Sequence, residues 1–118
     1  MNKFHILNFL KFNILISIAL LFSCTDLSEV DISDTIIFEG KLYKKDEQYP
    51  FTGFVYSSYS NGQLEYKGKY KNGKPNGILN YWYEDGSKMR EGKLKDGNPI
   101  GRWIYYNPDG SNRKTIDY

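Results

Sequence analysis

The chain has 118 residues, a formal net charge of +2, one cysteine and one histidine. The histidine, His5, and the cysteine, Cys24, both fall within the first 24 residues. The remainder is long enough for one small domain. It excludes Cys/His zinc sites and Ser-His or Cys-His nucleophile pairs, because it contains neither a histidine nor a further cysteine.

The first segment, residues 1–23, has the order of a secretory signal peptide. Lys3 and Lys11 make its start basic, and no acidic residue precedes Asp26. An apolar stretch follows from Ile14 to Phe22. It is too short to cross a hydrocarbon layer, which takes about 20 apolar residues.

Leu21, Ser23 and Cys24 resemble the lipobox of bacterial lipoproteins. The resemblance implies that Cys24 carries a diacylglycerol thioether, that the signal is cleaved before it, and that the new amino terminus is acylated. An ordinary signal peptide with a chance cysteine, or an uncleaved anchor, is the alternative. Thr25 stands where some lipoproteins have the aspartate that retains them in an inner membrane. An outer membrane is therefore the expected location, with periplasmic or surface exposure left open.

Residues 24–35 form the lipidated cysteine and an acidic tether in this interpretation. Thr25 to Asp34 is polar and acidic, and it shows neither a helical nor a strand period. Its ten residues reach at most about 35 Å when extended. From Lys41 onward, basic residues outnumber acidic ones.

A repeat of 24 residues organises the domain predicted for residues 36–118. Several series of glycines recur at this spacing, and so do two prolines. Such a period indicates stacked supersecondary units. Aromatic or β-branched runs alternate with Asn-Gly and Asp-Gly dipeptides, which favour hairpin turns because both residues tolerate positive φ. The glycines that we assign to the repeat turns are Gly53, Gly62, Gly77, Gly86, Gly101 and Gly110.

The predicted fold is all-β, an open antiparallel meander of stacked β-hairpins. Strands are expected near 53–59, 64–71, 77–83, 88–95, 101–106 and 112–117, and an incomplete leading unit, residues 36–51, adds one or two more. Pro50, Pro75 and Pro99 are expected between strands, where a missing N–H costs no ladder bond. No helix is expected after Cys24, because no apolar pattern of 3.6 residues survives the glycine spacing.

The repeat can be compared with known families. Tyr66, Gly68, Tyr70, Gly73 and Gly77 resemble a MORN repeat, whose pattern is Tyr-x-Gly, an aromatic residue and two further glycines. The stretches Pro50-Phe51-Thr52-Gly53 and Tyr70-Lys71-Asn72-Gly73-Lys74 are similar to bacterial MORN-like proteins labelled YwqK-family antitoxins. This resemblance spans about Leu42 to Tyr118. It implies a sheet of successive hairpins and raises an antitoxin role without identifying a toxin.

No catalytic apparatus, cofactor site or metal site is expected after Cys24. The glycines recur at turns, and none is followed by the Gly-Lys-Ser/Thr of a phosphate loop. Glu65 with Glu91, or Glu84 with Asp85, are conceivable catalytic carboxylate pairs, but solvated charges at strand ends explain them. We therefore expect a non-enzymatic protein.

Two surfaces are candidates for binding. The first surface is aromatic and consists of Tyr81, Trp82, Tyr83, Trp103, Tyr105 and Tyr106. Its rings either pack against neighbouring hairpins or form a platform for a sugar or a partner strand. The second is a row of lysines that share one strand face, Lys67, Lys69 and Lys71, repeated one unit later by Lys93 and Lys95. This row is either a solvated face or a contact for acidic glycan, anionic lipid or an acidic partner.

The favoured function is an interaction module, attached to the membrane through Cys24, whose repeat sheet binds another envelope protein. An antitoxin or immunity protein that neutralises one effector is the first alternative, and a glycan-binding accessory lipoprotein is the second. Nucleic acid is not expected as the partner of an exported chain.

Overall fold

The structure is a computed structural model that describes residues 27–118. The signal segment and Cys24 lie outside the described residues. Within that range no helix is long and apolar enough to span a membrane. One 3₁₀ helix, Ile32–Asp34, accompanies the strands β1 (Glu29–Asp31), β2 (Thr35–Phe38), β3 (Lys41–Lys44), β4 (Gly53–Ser58), β5 (Leu64–Lys71), β6 (Lys74–Trp82), β7 (Lys88–Lys95), β8 (Asn98–Tyr106) and β9 (Asn112–Asp117).

Seven strands form one sheet in the order β1-β4-β5-β6-β7-β8-β9, and β2 pairs with β3 in a separate hairpin. From β4 to β9 each strand is antiparallel to the next one in the chain. The predicted all-β open meander is therefore confirmed. β1 differs, because it lies parallel to β4 with Val30 opposite Val55. Parallel pairing requires a crossover connection, and the β2–β3 hairpin lies within it.

The two ends of the sheet carry different turns. At one end, Asn72-Gly73 and Asp96-Gly97 form two-residue turns with both residues at positive φ, as type I′ turns require. At the other end, Gly62, Gly86 and Gly110 occupy longer turns, also at positive φ. In each longer turn an Asn or Asp side chain accepts a hydrogen bond from the backbone N–H two residues on. The hairpins therefore follow the turn chemistry predicted from the sequence.

The prediction that the prolines lie between strands is wrong for Pro75 and Pro99. These two residues lie inside β6 and β8. Pro75 is opposite Tyr70, and its carbonyl accepts the Gly97 N–H at 2.9 Å. The backbone polar groups at this position point away from β5. The missing proline N–H therefore costs no bond of the β5–β6 ladder.

Three of the six glycines assigned to turns also lie elsewhere. Gly53 begins β4, while Gly77 and Gly101 lie within β6 and β8. The register shifts at Gly77 and Gly101. There β6 contains more residues than the facing part of β5, and β8 more than the facing part of β7, so each forms a β-bulge. The φ angles there, +123° and +63°, favour glycine over other residues. The glycine period thus marks bulges as well as turns.

The acidic tether predicted for residues 24–35 is wrong over its described part. Glu29–Asp31 is strand β1, and Val30 is only 4% exposed. The Asp31 carboxylate caps the 3₁₀ helix by accepting the Ser33 N–H at 2.9 Å, which holds the Asp31 pKa below its usual value. A three-residue strand is too short to show a period in the sequence. The folded domain therefore begins no later than Glu29.

The hydrophobic core is thin and lies on one face of the sheet, here called the core face. Val55, Leu79 and Trp103 occupy equivalent positions in successive units and are 0%, 6% and 5% exposed. Gly68 lies between Val55 and Leu79 in the register, and Gly92 lies opposite Leu79. A Cβ at Gly68 would approach Leu79 Cδ1 to 2.8 Å, and a Cβ at Gly92 would collide with the Trp103 ring. The large side chains therefore lie across the neighbouring glycines.

Candidate partner-binding face

A row of rings and cations crosses the core face. Tyr66, Tyr81, Arg90, Tyr105 and Lys114 are opposite one another on consecutive strands. The Tyr66 and Tyr81 ring centroids are 5.0 Å apart, and Arg90 Cζ lies 4.0 Å from the Tyr81 centroid. Lys114 Nζ lies 4.7 Å from the Tyr105 centroid. Such ring–ring and cation–π pairs stabilise a sheet between strands, so this row contributes to packing.

Two polar groups in this row are removed from water. The Tyr66 hydroxyl donates to the Tyr70 hydroxyl at 3.1 Å, and burial raises the Tyr66 pKa. Arg90 Nε is buried without a hydrogen-bond partner among the described residues. The Tyr81 ring beneath the Arg90 guanidinium supplies cation–π attraction in its place.

The six aromatic residues predicted as a binding surface form no single platform. Trp103 is buried, and its Nε1 donates to the Lys93 carbonyl at 3.1 Å. Tyr81 and Tyr105 belong to the row on the core face. Strand alternation places Trp82 and Tyr106 on the opposite face. The Tyr83 hydroxyl donates to the Tyr106 carbonyl at 2.9 Å and so joins neighbouring hairpins.

The face opposite the core, here called the lysine face, carries the basic row. Lys67, Lys69 and Lys71 alternate along β5 and therefore lie on this face together. Lys67 Nζ lies 2.5 Å from the Glu29 carboxylate and 5.0 Å from the Phe54 ring centroid. Within residues 27–118, Lys69 and Lys71 make no ion pair, and neither do Lys93 and Lys95 one unit later. These four side chains are exposed.

An apolar groove runs across the lysine face. It consists of two adjoining depressions of about 450 and 520 Å³, which share Ile78, Lys93 and Ile100. Ile78 and Ile100 are both opposite Lys93, and they are 56% and 40% exposed. Phe54 is opposite Lys69 at one side of the groove, and Ile104 lines the other. Apolar and cationic side chains thus alternate from strand to strand.

The only acidic side chain lining the described groove is already satisfied. Glu91 accepts hydrogen bonds from Lys88 Nζ at 2.6 Å and from the Tyr106 hydroxyl at 2.7 Å. These bonds hold the Glu91 pKa below its usual value, and the same contact raises the Tyr106 pKa. The negative charge of Glu91 is therefore balanced by Lys88, and the unpaired Lys69 and Lys93 give the groove a positive character.

Sequence reasoning missed the apolar part of this site. Phe54 and Ile78 are 24 residues apart, so the repeat spacing was a signal that they share a face. Their neighbours Val55 and Leu79 point to the opposite face and are buried in the core. Ile100 lies between Pro99 and Gly101, and the bulge that brings it opposite Lys93 was not predicted.

The arrangement suits surface recognition. Both depressions are shallow, and no group of three or more metal-binding side chains occurs in the part of the chain that the structure describes. Exposed isoleucines provide apolar contact area, while the flanking ammonium groups provide ionic contacts.

No protein-family model, curated protein or solved structure matches this chain. The resemblance to MORN-like repeats therefore remains a prediction, and the function is argued from the face itself.

Proposed function

We propose that the protein is a non-enzymatic lipoprotein, anchored through Cys24 at the bacterial cell envelope, whose lysine face binds another protein. The observation that carries this proposal is the pair of exposed isoleucines, Ile78 and Ile100, on either side of the unpaired Lys93. Contiguous exposed apolar side chains in a polar surround are typical of interaction sites.

The side chains of the groove also support a proposal for the chemistry of the partner. Neighbouring strands lie about 4.8 Å apart, so a segment that crosses them meets isoleucine, lysine and isoleucine in succession. A partner with apolar side chains flanked by Asp or Glu complements both components. The charges set the association rate and the choice of partner, while the apolar contacts supply most of the affinity.

An immunity role is one form of this proposal. A toxin-like effector with an acidic, apolar surface would occupy the same groove. The identity of the captured partner therefore decides whether the protein is an immunity protein or a module that joins envelope proteins.

The test is in-cell crosslinking of the full-length protein, followed by affinity purification and mass spectrometry. We expect one dominant protein to be captured by the wild type and lost with Ile78→Ser or Lys69→Glu/Lys93→Glu. Ile37→Ser is the matched control, because Ile37 is 76% exposed on the separate β2–β3 hairpin.

Capture that persists in the groove variants would disprove the groove as the binding site. Co-purification of an envelope polysaccharide without a protein would show that the partner is a glycan and would contradict the proposed protein binding. A Cys24→Ala form separates loss of anchoring from loss of binding.

A further inference from the structure

In the later units of the repeat, rings and cations alternate along the row on the core face. Arg90 is opposite Tyr81 on one side and Tyr105 on the other, and Lys114 is opposite Tyr105. Arg90 lies over the Tyr81 ring, and Lys114 lies over the Tyr105 ring. The protein itself therefore places a positive charge against each of these two rings.

The first unit departs from this alternation. Ser57 stands 24 residues before Tyr81, and Tyr66 stands 24 residues before Arg90. A small side chain thus replaces a ring, and a ring replaces a cation. Ser57 is opposite Tyr66, so the two departures adjoin each other on the core face. Among residues 27–118, no lysine or arginine lies over the Tyr66 or Tyr70 ring.

A depression of about 370 Å³ lies at this part of the core face. We call it the tyrosine pocket, and it is lined by Ile32, Ser57, Glu65, Tyr66, Tyr70 and Tyr81. Small-molecule sites commonly measure about 300–1,000 Å³, so the tyrosine pocket suits a small ligand. It is separate from the apolar groove, which lies on the lysine face.

Three tyrosine rings surround the tyrosine pocket. The planes of the Tyr66 and Tyr81 rings are inclined by 52°, and their centroids are 5.0 Å apart. The hydrogen bond from the Tyr66 hydroxyl to the Tyr70 hydroxyl holds the third ring beside the first. Tyr66 is only 6% exposed, so packing in the core fixes its position. Because a ring attracts a cation placed over its face, inclined rings around one space can act on the same cation.

Glu65 is the only charged side chain that lines the tyrosine pocket. Within residues 27–118 its carboxylate forms no ion pair, and it accepts one long hydrogen bond, from Ser57 Oγ at 3.4 Å. The equivalent residue one unit later is Met89. The repeat therefore does not account for a carboxylate at this position, whereas a cationic ligand would.

We propose that the tyrosine pocket binds a small quaternary ammonium compound. The ligand supplies the positive charge that Arg90 and Lys114 supply in the later units, and it lies against the tyrosine rings and beside Glu65. A primary ammonium group has three N–H donors that need acceptors once water is removed, and the pocket offers one carboxylate. A quaternary nitrogen has no such donors, so the rings satisfy it without hydrogen bonds.

The test compares choline with neohexanol, the neutral isostere in which carbon replaces the nitrogen. Binding is measured by isothermal titration calorimetry on the full-length protein in a maltoside detergent, which carries no charge. We expect choline to bind roughly tenfold more tightly than neohexanol, because only choline gains cation–π attraction. Butylamine, which carries a primary ammonium group, should bind more weakly than choline.

Two substitutions test the residues of the tyrosine pocket. Tyr81→Leu should weaken choline binding roughly tenfold. Tyr105→Leu is its matched control, because it removes the equivalent ring one unit later, outside the pocket. Glu65→Gln should weaken choline binding several-fold while the fold is retained, since Glu65 is exposed. Glu84→Gln removes an exposed carboxylate outside the pocket and should bind choline as the wild type does.

Equal affinities for choline and neohexanol would overturn the proposal, and so would tighter binding of butylamine than of choline. Choline binding that is unchanged by both Tyr81→Leu and Glu65→Gln would overturn the assignment to this pocket. Glycerophosphocholine distinguishes free quaternary ammonium compounds from choline phosphodiesters. Repulsion between its phosphate and Glu65 should make it bind more weakly than choline, and equally tight binding would extend the ligand class to choline phosphodiesters.

Discussion

At the scale of single residues, the sheet depends on positions that lack a side chain. Gly68 and Gly92 lie under Leu79 and Trp103, and neither glycine has a positive φ angle. Their identity is therefore explained by space above the backbone. Leu79 and Trp103 each cover a glycine on the neighbouring strand, so apolar area is buried within the single layer of the seven-stranded sheet.

Gly92→Ala should destabilise the protein by about 1–3 kcal/mol, the usual cost of overpacking a core. The added methyl group would occupy the position of the Trp103 ring. The free energy of unfolding in urea measures the effect. In combination with Trp103→Leu, the cost of Gly92→Ala should shrink, because the smaller side chain vacates that space. Strictly additive costs would contradict the packing explanation.

At the scale of elements, the two-residue turns have the same conformation but different surroundings. Gly73 and Gly97 have φ angles of +78° and +84°. A Cβ at Gly73 would lie 2.8 Å from Lys41 Cβ and 2.9 Å from the Leu42 nitrogen, whereas a Cβ at Gly97 meets nothing within 4 Å. The β2–β3 hairpin thus packs on the first turn and leaves the second one free.

Gly73→Ala should therefore cost more stability than Gly97→Ala. Both substitutions introduce the same left-handed strain, of about 1 kcal/mol. Only Gly73→Ala also displaces Leu42, which donates its N–H to the Gly73 carbonyl at 2.9 Å. We expect an excess of about 1–3 kcal/mol in chemical unfolding. Equal destabilisation by Gly73→Ala and Gly97→Ala would mean that the β2–β3 hairpin moves aside without losing stabilising contacts.

The sequence predicted the elements whose causes are local. The strands 64–71, 88–95 and 112–117 were placed correctly because Asn-Gly and Asp-Gly turns bound them. The bulges at Gly77 and Gly101 and the parallel pairing of β1 depend on contacts between distant segments, so no local pattern indicated them. The lysine row could be predicted because side chains alternate between the faces of a strand. Ile100 could not be predicted, because a β-bulge in β8 places it opposite Lys93.

At the scale of the whole molecule, burial is concentrated near one edge of the sheet. Val30, Val55 and Tyr66 lie in the adjacent strands β1, β4 and β5, and Leu42 and Phe51 belong to the same core. Strand β9 has no buried residue and forms the other edge. In an array of hairpins, each unit is stabilised mainly by its neighbours, so stability should decrease toward β9.

Native-state hydrogen exchange should reveal this gradient. We expect the slowest amide exchange in β4 and β5, which have a strand on each side and contain the buried Val55 and Tyr66, and the fastest among the strands of the seven-stranded sheet in β9. Residue-resolved exchange under native conditions provides the measurement. Uniform protection from β4 to β9 would show instead that the sheet opens as one cooperative unit.

Strand β1 also determines how the domain resists force. In the lipid-anchored form that we propose, a pull from the membrane would enter the sheet at Glu29 and act along β1, which runs parallel to β4. Tension in this direction loads the hydrogen bonds between the two strands simultaneously, in shear, whereas a hairpin peeled from its end loses them one at a time. Val30, buried opposite Val55, resists the same sliding motion. The three residues of β1 would thus resist tension between the proposed anchor and the rest of the sheet.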